Sequence, residues 1–431
     1  MTRVSSPPPY TLDPEPKAAR APEYTASPNA DERTLLHSLR THNRSQRTGT
    51  FVRSDDGGRL TLVLVGQKDD NALWPTVGPN TIISGTVLLA SSEGIVSVSL
   101  QLEGEMEVLS ISLGYTCTKT VDQSISLFSR NASTAPCPNA LPFSFRLPTT
   151  FSTQSNGGGA SLPLPPSCDI AFGDGGFLKC FYSLTLCAAY RSAAFFEKKR
   201  SLRVELEYRH RTRPSRPRIP DLSLLATVKL CPEEWLQLPV DLTMADEGQA
   251  LQAADIRCDL FVPSVGVFAI SEIIPFHLQL SGKLQSLREC CLLPRPYGAL
   301  AFGSNLDTVR QPIRVYLLRQ VVLTSSEPKR GTATVTAKTT LCQAALRSIP
   351  PPHRVPPTPD GVKDDHVLSW DGELPLRDAL VPTFDAGASR IVYLIAVELS
   401  PPKSSKIKRA HYGFPIKLTT DTWAGSAEGQ E

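Results

Sequence analysis

The chain has 431 residues, of which 41% are hydrophobic and 20% charged, and its formal net charge is +3. That apolar content is enough to build cores, so the composition excludes a chain that is disordered throughout. The near-neutral balance excludes a strongly basic nucleic-acid binder. The length predicts two domains, and the surplus of proline, 38 residues against 27 glycines, favours all-β folds over long helices.

The first predicted element is a disordered tail over residues 1–45, rich in proline and poor in apolar side chains. Pro7, Pro8 and Tyr10 occupy the fixed positions of a Pro-Pro-x-Tyr motif. Successive prolines pre-form a polyproline II helix, which WW domains bind in an aromatic groove while the tyrosine fills a second pocket. The motif therefore predicts a WW-binding site, and the alternative is a proline-rich tail that contains it by accident.

Two weaker signals follow within the same tail. Pro22 and Tyr24 form a degenerate copy of the motif, which makes them a second candidate for WW binding. The stretch Asp31–His42 contains three leucines whose spacing permits either a short helix or an edge strand. The sequence leaves these two alternatives open.

Apolar and polar residues then alternate repeatedly up to about residue 208, which predicts half-buried antiparallel strands. Turn signals separate the runs at 56–58, 78–80 and 156–159. Many short strands at near-regular spacing predict a β-sandwich. The apolar positions are Leu60, Leu62, Leu64, Val98, Leu100, Leu102, Tyr182, Leu184, Leu186, Leu202, Val204, Leu206 and Tyr208.

Residues 209–221 are too polar and too rich in proline for a core strand, and we interpret them as a basic interdomain linker. Its arginines Arg211, Arg213 and Arg216 are candidates for contact with anionic lipid or phosphate, because guanidinium groups form charge-assisted hydrogen bonds. The alternative is a solvated loop kept soluble by its charge. Two further basic clusters are Lys198–Arg200 and Lys403–Arg409.

Alternation resumes beyond the linker, which predicts a second β-sandwich interrupted by a proline-rich loop at 349–359. The apolar positions include Phe276, Leu278, Leu280, Ile313, Val315 and Leu317, and a last strand covers Ile391–Leu399. The predicted organisation is a tail at 1–45, a first domain at 46–208, a linker at 209–221, a second domain at 222–418 and a flexible tail at 419–431.

The ten cysteines show no metal-ligand spacing, so we expect no metal site. Cys180, Cys187, Cys258 and Cys342 lie in apolar runs and are predicted to be buried free thiols in a reducing compartment. The first residues show no secretory signal, and no apolar run approaches the roughly 20 residues that span a bilayer. A cytoplasmic protein is therefore the expectation.

The sequence does not favour an enzyme, because it lacks the motifs of hydrolase elbows, zinc proteases and phosphate-binding loops. We expect no cofactor and no catalytic residue. His277 lies opposite the apolar face of its strand and is predicted to be a surface residue rather than a base. A hydrolase built on a β-sandwich is the least favoured alternative, because no nucleophile–base set is visible.

Several phrases, in order along the chain, resemble fungal arrestin-related proteins of the α-arrestin branch. Ile274–Gly282 resembles the I-P-F-H-x-Q-L-[ST]-G strand of their carboxyl-terminal domain. In the first half, Ser84–Val87 and Val98–Gly104 are similar to a strand pair of the amino-terminal domain, and Leu141–Pro148 resembles another of its strands. Together with Val228–Trp235 and Arg314–Gln320, they cover most of residues 50–400.

This resemblance implies two arrestin-type immunoglobulin-like sandwiches joined by a hinge, and an adaptor function. In the family, Pro-Pro-x-Tyr motifs recruit WW domains of HECT-type ubiquitin ligases to membrane transporters or receptors, which are then ubiquitinated and endocytosed. Pro7, Pro8 and Tyr10 would carry this role here, with Pro22 and Tyr24 as a second copy. Family members often place the motif after the second sandwich, whereas here it precedes the first. The alternative is a ligase-independent scaffold that binds cargo or vesicle-coat proteins.

Overall fold

In the computed structural model, most of the described residues belong to β-strands. All the described residues belong to one compact unit, residues 48–431. The structure describes residues 49–67, 73–131, 135–153, 160–173, 175–191, 197–216, 228–243, 256–290, 312–327, 331–349, 365–376, 380–402 and 405–423.

The first set of strands forms two facing sheets. A four-stranded sheet has the order β1-β2-β4-β7, and a larger sheet has the order β3-β12-β11-β5-β6 with β10 added on β11. The strands β8 and β9 pair with each other. The bounds are β1 Gly49–Ser54, β2 Leu60–Gln67, β3 Thr76–Val77, β4 Ile82–Leu89, β5 Ile95–Ser110, β6 Gly114–Ser129, β7 Ala140–Arg146, β8 Thr150–Thr153, β9 Ala160–Pro163, β10 Cys168–Ala171, β11 Phe177–Arg191 and β12 Glu197–Tyr208.

The second set repeats this arrangement. One sheet has the order β13-β14-β16-β20-β19, and the other has the order β15-β23-β22-β17-β18 with β21 added on β22. A helix, α1 (Leu284–Cys290), follows β16 directly. The bounds are β13 Trp235–Val240, β14 Ile256–Pro263, β15 Val267–Ala269, β16 Ile273–Lys283, β17 Ile313–Glu327, β18 Gly331–Gln343, β19 Ala345–Ile349, β20 Asp365–Pro375, β21 Phe384–Asp385, β22 Ser389–Leu399 and β23 Ala410–Thr419.

Period-two alternation places the apolar side chains between the facing sheets. Leu60, Leu62 and Leu64 of β2 are all but fully buried, and so are Phe276 and Leu278 of β16. Burial of such a side chain contributes about 1.5–3 kcal/mol, so these inward faces account for most of the favourable energy of the fold. The prediction of an all-β protein made of two sandwiches is confirmed.

Glycines lie opposite aromatic rings in these cores, most closely at two places. Gly104 of β5 lies opposite Tyr182 of β11, and Gly372 of β20 lies opposite Phe276 of β16. A Cβ added to Gly372 would lie 2.2 Å from Cζ of Phe276, and one added to Gly104 would lie 2.7 Å from the Tyr182 ring. Because glycine has no side chain, the opposing ring can occupy the space next to the glycine backbone.

None of the four cysteines predicted to be buried forms a disulfide, but they differ in burial. Cys180 and Cys258 are buried, and burial raises the pKa of the Cys258 thiol well above its usual range. Cys187 and Cys342 are only partly buried, so that part of the prediction is wrong. Cys187 lies on the outward face of β11, since it alternates with the buried Leu184 and Leu186. Cys342 pairs with Leu317 next to the end of its ladder, where fewer neighbours cover a side chain.

Candidate functional site

The basic stretch between the two sandwiches is the part of the predicted site that the structure describes. We call residues 209–216 the arginine segment. It leaves β12 directly after Tyr208, and the amide of Arg209 donates a hydrogen bond of 2.9 Å to the carbonyl oxygen of Val77, which extends the parallel pairing of β12 with β3. The start of the segment is thereby fixed to the first sandwich.

The middle of the arginine segment is hydrogen-bonded to the end of the second sandwich. The amide of Thr212 donates to Oγ1 of Thr420 at 2.9 Å, and the amide of Asp421 donates to the carbonyl oxygen of Thr212 at 2.9 Å. Oγ1 of Thr420 lies 3.3 Å from the carbonyl oxygen of His210. Thr420 and Asp421 follow β23 directly, so these bonds join the linker to residues that the sequence assigned to a flexible tail.

Arg211 and Arg216 form ion pairs within the chain. The Arg211 guanidinium is bidentate, with Nε and Nη2 each 3.2 Å from a carboxylate oxygen of Asp421. Nη2 of Arg216 donates to Oγ of Ser264 at 2.7 Å, and its Nη1 lies 3.6 Å from a carboxylate oxygen of Glu234. Arg213 lies between them and is exposed. These contacts hold the arginine segment near its start, at Arg211, and at its end, at Arg216.

These ion pairs remain open to solvent. The side chains of Arg211 and Arg216 keep 59% and 47% of their surface exposed. Exposed pairs of this kind contribute only about 0–1 kcal/mol, so an anion that approaches the segment competes with a weak partner. The arginine segment therefore connects the two sandwiches and also exposes basic side chains to solvent.

His210 adds no charge to the segment at neutral pH. Its ring stacks on Tyr208 with centroids 6.5 Å apart, and burial lowers the pKa of the imidazole below its ordinary value. Its Nδ1 is buried without a hydrogen-bond partner among the described residues. The positive charge of the segment therefore belongs to its arginines.

The predicted WW-binding residues Pro7, Pro8, Tyr10, Pro22 and Tyr24 lie outside the described residues, and so does the stretch Asp31–His42. Their assignments stay predictions. The same holds for the contact of Arg211, Arg213 and Arg216 with anionic lipid or phosphate. The sequence did not identify Asp421, Thr420, Ser264 or Glu234 as partners of the segment, because each is distant in sequence and ordinary in its local context.

The prediction that His277 is a surface residue is wrong. Its side chain is 1% exposed, although it points away from the apolar face of β16 as expected. Nδ1 of His277 lies 2.8 Å from Oδ1 of Asp371 on β20, and the ring of Phe261 on β14 lies 5.8 Å away. β16 is the central strand of its sheet, so neighbours on both sides cover the imidazole. The imidazole is thus inaccessible while Asp371 keeps 21% of its side-chain surface exposed, which favours a structural role for His277.

One group of potential metal ligands occurs among the described residues. Single donor atoms of Glu105, Glu107 and Cys117 lie within 4.8 Å of one another on the surface of β5 and β6. Burial, followed by the charges of the two glutamates, raises the pKa of the Cys117 thiol. The thiol is therefore protonated at neutral pH, which weakens it as a metal ligand.

None of the helices formed by the described residues has the length and apolar content needed to cross a membrane. Comparison with known proteins found no matching family model and no matching curated protein.

Proposed function

We propose that this chain is a non-catalytic adaptor of the arrestin-related kind, which links a WW-domain HECT-type ubiquitin ligase to membrane transporters or receptors. The observation that carries the proposal is the combination of a Pro-Pro-x-Tyr motif with two successive β-sandwiches. In this scheme Tyr10 and its prolines bind the ligase, while the sandwiches hold the client. The ligase then ubiquitinates the client, the adaptor or both, which leads to endocytosis of the client.

The positions of the resembling phrases support this proposal. Ile274–Gly282 falls within the central strand β16, and Leu141–Arg146 falls within β7. Val98–Gly104 falls within β5, whose inward side chains Val98, Leu100 and Leu102 are completely buried. These three phrases are core strands, whereas Val228–Trp235 lies mostly in exposed helical turns before β13. The match of the three phrases to core positions supports the proposal.

The proposal places the adaptor in the cytoplasm, with transient residence at the plasma membrane or at endosomes. No cofactor and no nucleic acid takes part. Each WW contact of this kind is weak, so the scheme depends on linked contacts that raise the effective concentration of ligase near the client. The arginine segment would add a further weak contact with anionic headgroups.

Ubiquitin transfer tests the proposal. We expect the full chain to be ubiquitinated in a reconstituted mixture of ubiquitin, ATP, activating and conjugating enzymes and a HECT ligase with WW domains. Tyr10→Ala should remove most of this product. Tyr24→Ala is the matched control, since it removes the tyrosine of the degenerate copy. Equal modification of the wild-type chain and Tyr10→Ala would instead favour the scaffold that works without a ligase.

The lipid contact of the arginine segment has its own test. Double reversal with Arg211→Glu and Arg216→Glu should weaken binding of the full chain to phosphatidylserine vesicles by about tenfold or more, since each basic residue near such a surface contributes about 1 kcal/mol. Lys198→Glu with Lys199→Glu makes the same charge change at exposed positions of β12. A specific contact at the arginine segment would be ruled out if both double variants lost the same affinity for vesicles. It would also be ruled out if the arginine variant lost none.

A further inference from the structure

The outward face of the sheet β1-β2-β4-β7 carries almost no charge. We call it the uncharged face, and its side chains alternate with the buried ones of the same strands. Among these outward positions of the four described strands, Arg146 at one corner is the charged residue. The members are Thr50, Val52, Ser54, Thr61, Val63, Val65, Ile82, Ser84, Thr86, Leu88, Ala140, Pro142, Ser144 and Arg146.

Large apolar side chains of this face are open to solvent. Val52 is 58% exposed, Val65 50%, Ile82 54% and Leu88 42%. The register aligns Val52 with Val63, Val63 with Thr86 and Thr86 with Pro142. These four side chains form a row across all four strands, and the polar group in this row is a hydroxyl. The solvated face of an antiparallel sheet ordinarily carries charged side chains, so a face of exposed apolar and hydroxyl side chains marks an interaction surface.

The other outward face of the same sandwich provides an internal comparison. On the sheet of β12, β11, β5 and β6 the outward positions are densely charged and carry both signs. Nζ of Lys119 lies 3.1 Å from a carboxylate oxygen of Asp122 and 3.9 Å from one of Glu103. The charged residues of that face include Glu103, Glu105, Glu107, Lys119, Asp122, Lys179, Lys199, Arg203 and Glu205. The uncharged face is therefore not a general property of this surface.

We infer that the uncharged face binds the same face of a second copy of this chain. In a two-fold symmetric interface each patch meets itself, so a face of one charge sign would repel its copy, whereas a neutral face is complementary to itself. Branched and small side chains such as Val52, Val63, Thr86 and Ala140 interdigitate well when two sheets pack face to face, about 10 Å apart.

The size of the face predicts a weak dimer. Four strands about 4.8 Å apart and roughly seven residues long cover on the order of 450 Å². Stable complexes bury about 800 Å² on each partner, so this interface belongs to the transient class. The inference is independent of the proposed function. In an adaptor, however, a dimer doubles the number of Pro-Pro-x-Tyr motifs and so raises its avidity for a ligase.

Sedimentation equilibrium of the full chain across the micromolar range tests the inference. The wild-type chain should associate reversibly to a dimer, and Val52→Glu or Leu88→Glu should weaken this association by tenfold or more, because the introduced charge appears on both copies. Both positions are exposed, so the variants should keep the thermal unfolding midpoint of the wild type. Ser201→Glu adds the same charge to an exposed position of the charged face and should leave the dimer unchanged.

Three results would overturn the inference. The first is a wild-type chain that stays monomeric throughout this range. The second is a dimer that persists in both Val52→Glu and Leu88→Glu, since another surface would then form it. The third is a monomer that binds neutral phosphatidylcholine vesicles in a manner that depends on Leu88, which would assign the face to lipid.

Discussion

Gly372→Ala should destabilise the second sandwich by about 2 kcal/mol, a large stability effect for so small a change. The new methyl carbon would lie 2.2 Å from Cζ of Phe276 and 2.8 Å from two further ring carbons. Phe276 is completely buried, and side chains in close-packed cores move only by displacing their neighbours. Overpacking of this kind costs about 1–3 kcal/mol, which exceeds the gain of about 0.5–1 kcal/mol from replacing a strand glycine by alanine.

Gly413→Ala is the matched control in the same sandwich. Its added methyl would meet only Leu394, at 3.6 Å or more, which is ordinary van der Waals contact. We expect this variant to be neutral or slightly stabilising, since alanine restricts the unfolded chain. Calorimetric unfolding measures both variants, and equal midpoints for Gly372→Ala and the wild type would show that the ring of Phe276 does not lie on Gly372.

A double variant separates overpacking from a loss specific to glycine. Phe276→Leu removes ring atoms and destabilises by itself, but it also makes room for the methyl group of Gly372→Ala. The two changes should therefore cost less together than the sum of their separate costs, as expected for residues in contact. Additive costs would contradict the contact between the two side chains.

The strands of both sandwiches were predictable because their alternation has a period that only a half-buried strand produces. Leu202, Val204, Leu206 and Tyr208 alternate with charged or polar residues, and the structure buries all four. The pairing of strands was not predictable in the same way. β12 pairs with β11 and β3, and β3 is a two-residue strand too short to show any period.

Side chains opposite the core were harder to place, because their burial depends on neighbouring strands. His277 has the sequence signal of a surface residue, yet β14 and β20 enclose it. The partners of Arg211 and Arg216 lie far along the chain, at Asp421 and Glu234, and no local pattern links them. The uncharged face likewise emerges only when the register of four strands is known.

The motif at residues 7–10 carries the largest expected effect on binding. In a Pro-Pro-x-Tyr complex the tyrosine fills a pocket of its own, and truncation of such an anchor costs 2 kcal/mol or more. Tyr10→Ala should therefore weaken binding to an isolated WW domain by roughly thirtyfold or more. Tyr24→Ala should change it far less, since the degenerate copy has Ala21 in place of the first proline of the pair.

Titration of the full chain with a WW domain from a HECT-type ligase, by calorimetry, tests the adaptor account most directly. The account predicts saturable binding by the wild-type chain, nearly unchanged binding by Tyr24→Ala and loss of measurable binding by Tyr10→Ala. Binding by Tyr10→Ala with the affinity of the wild type, or no binding by the wild type at all, would contradict it.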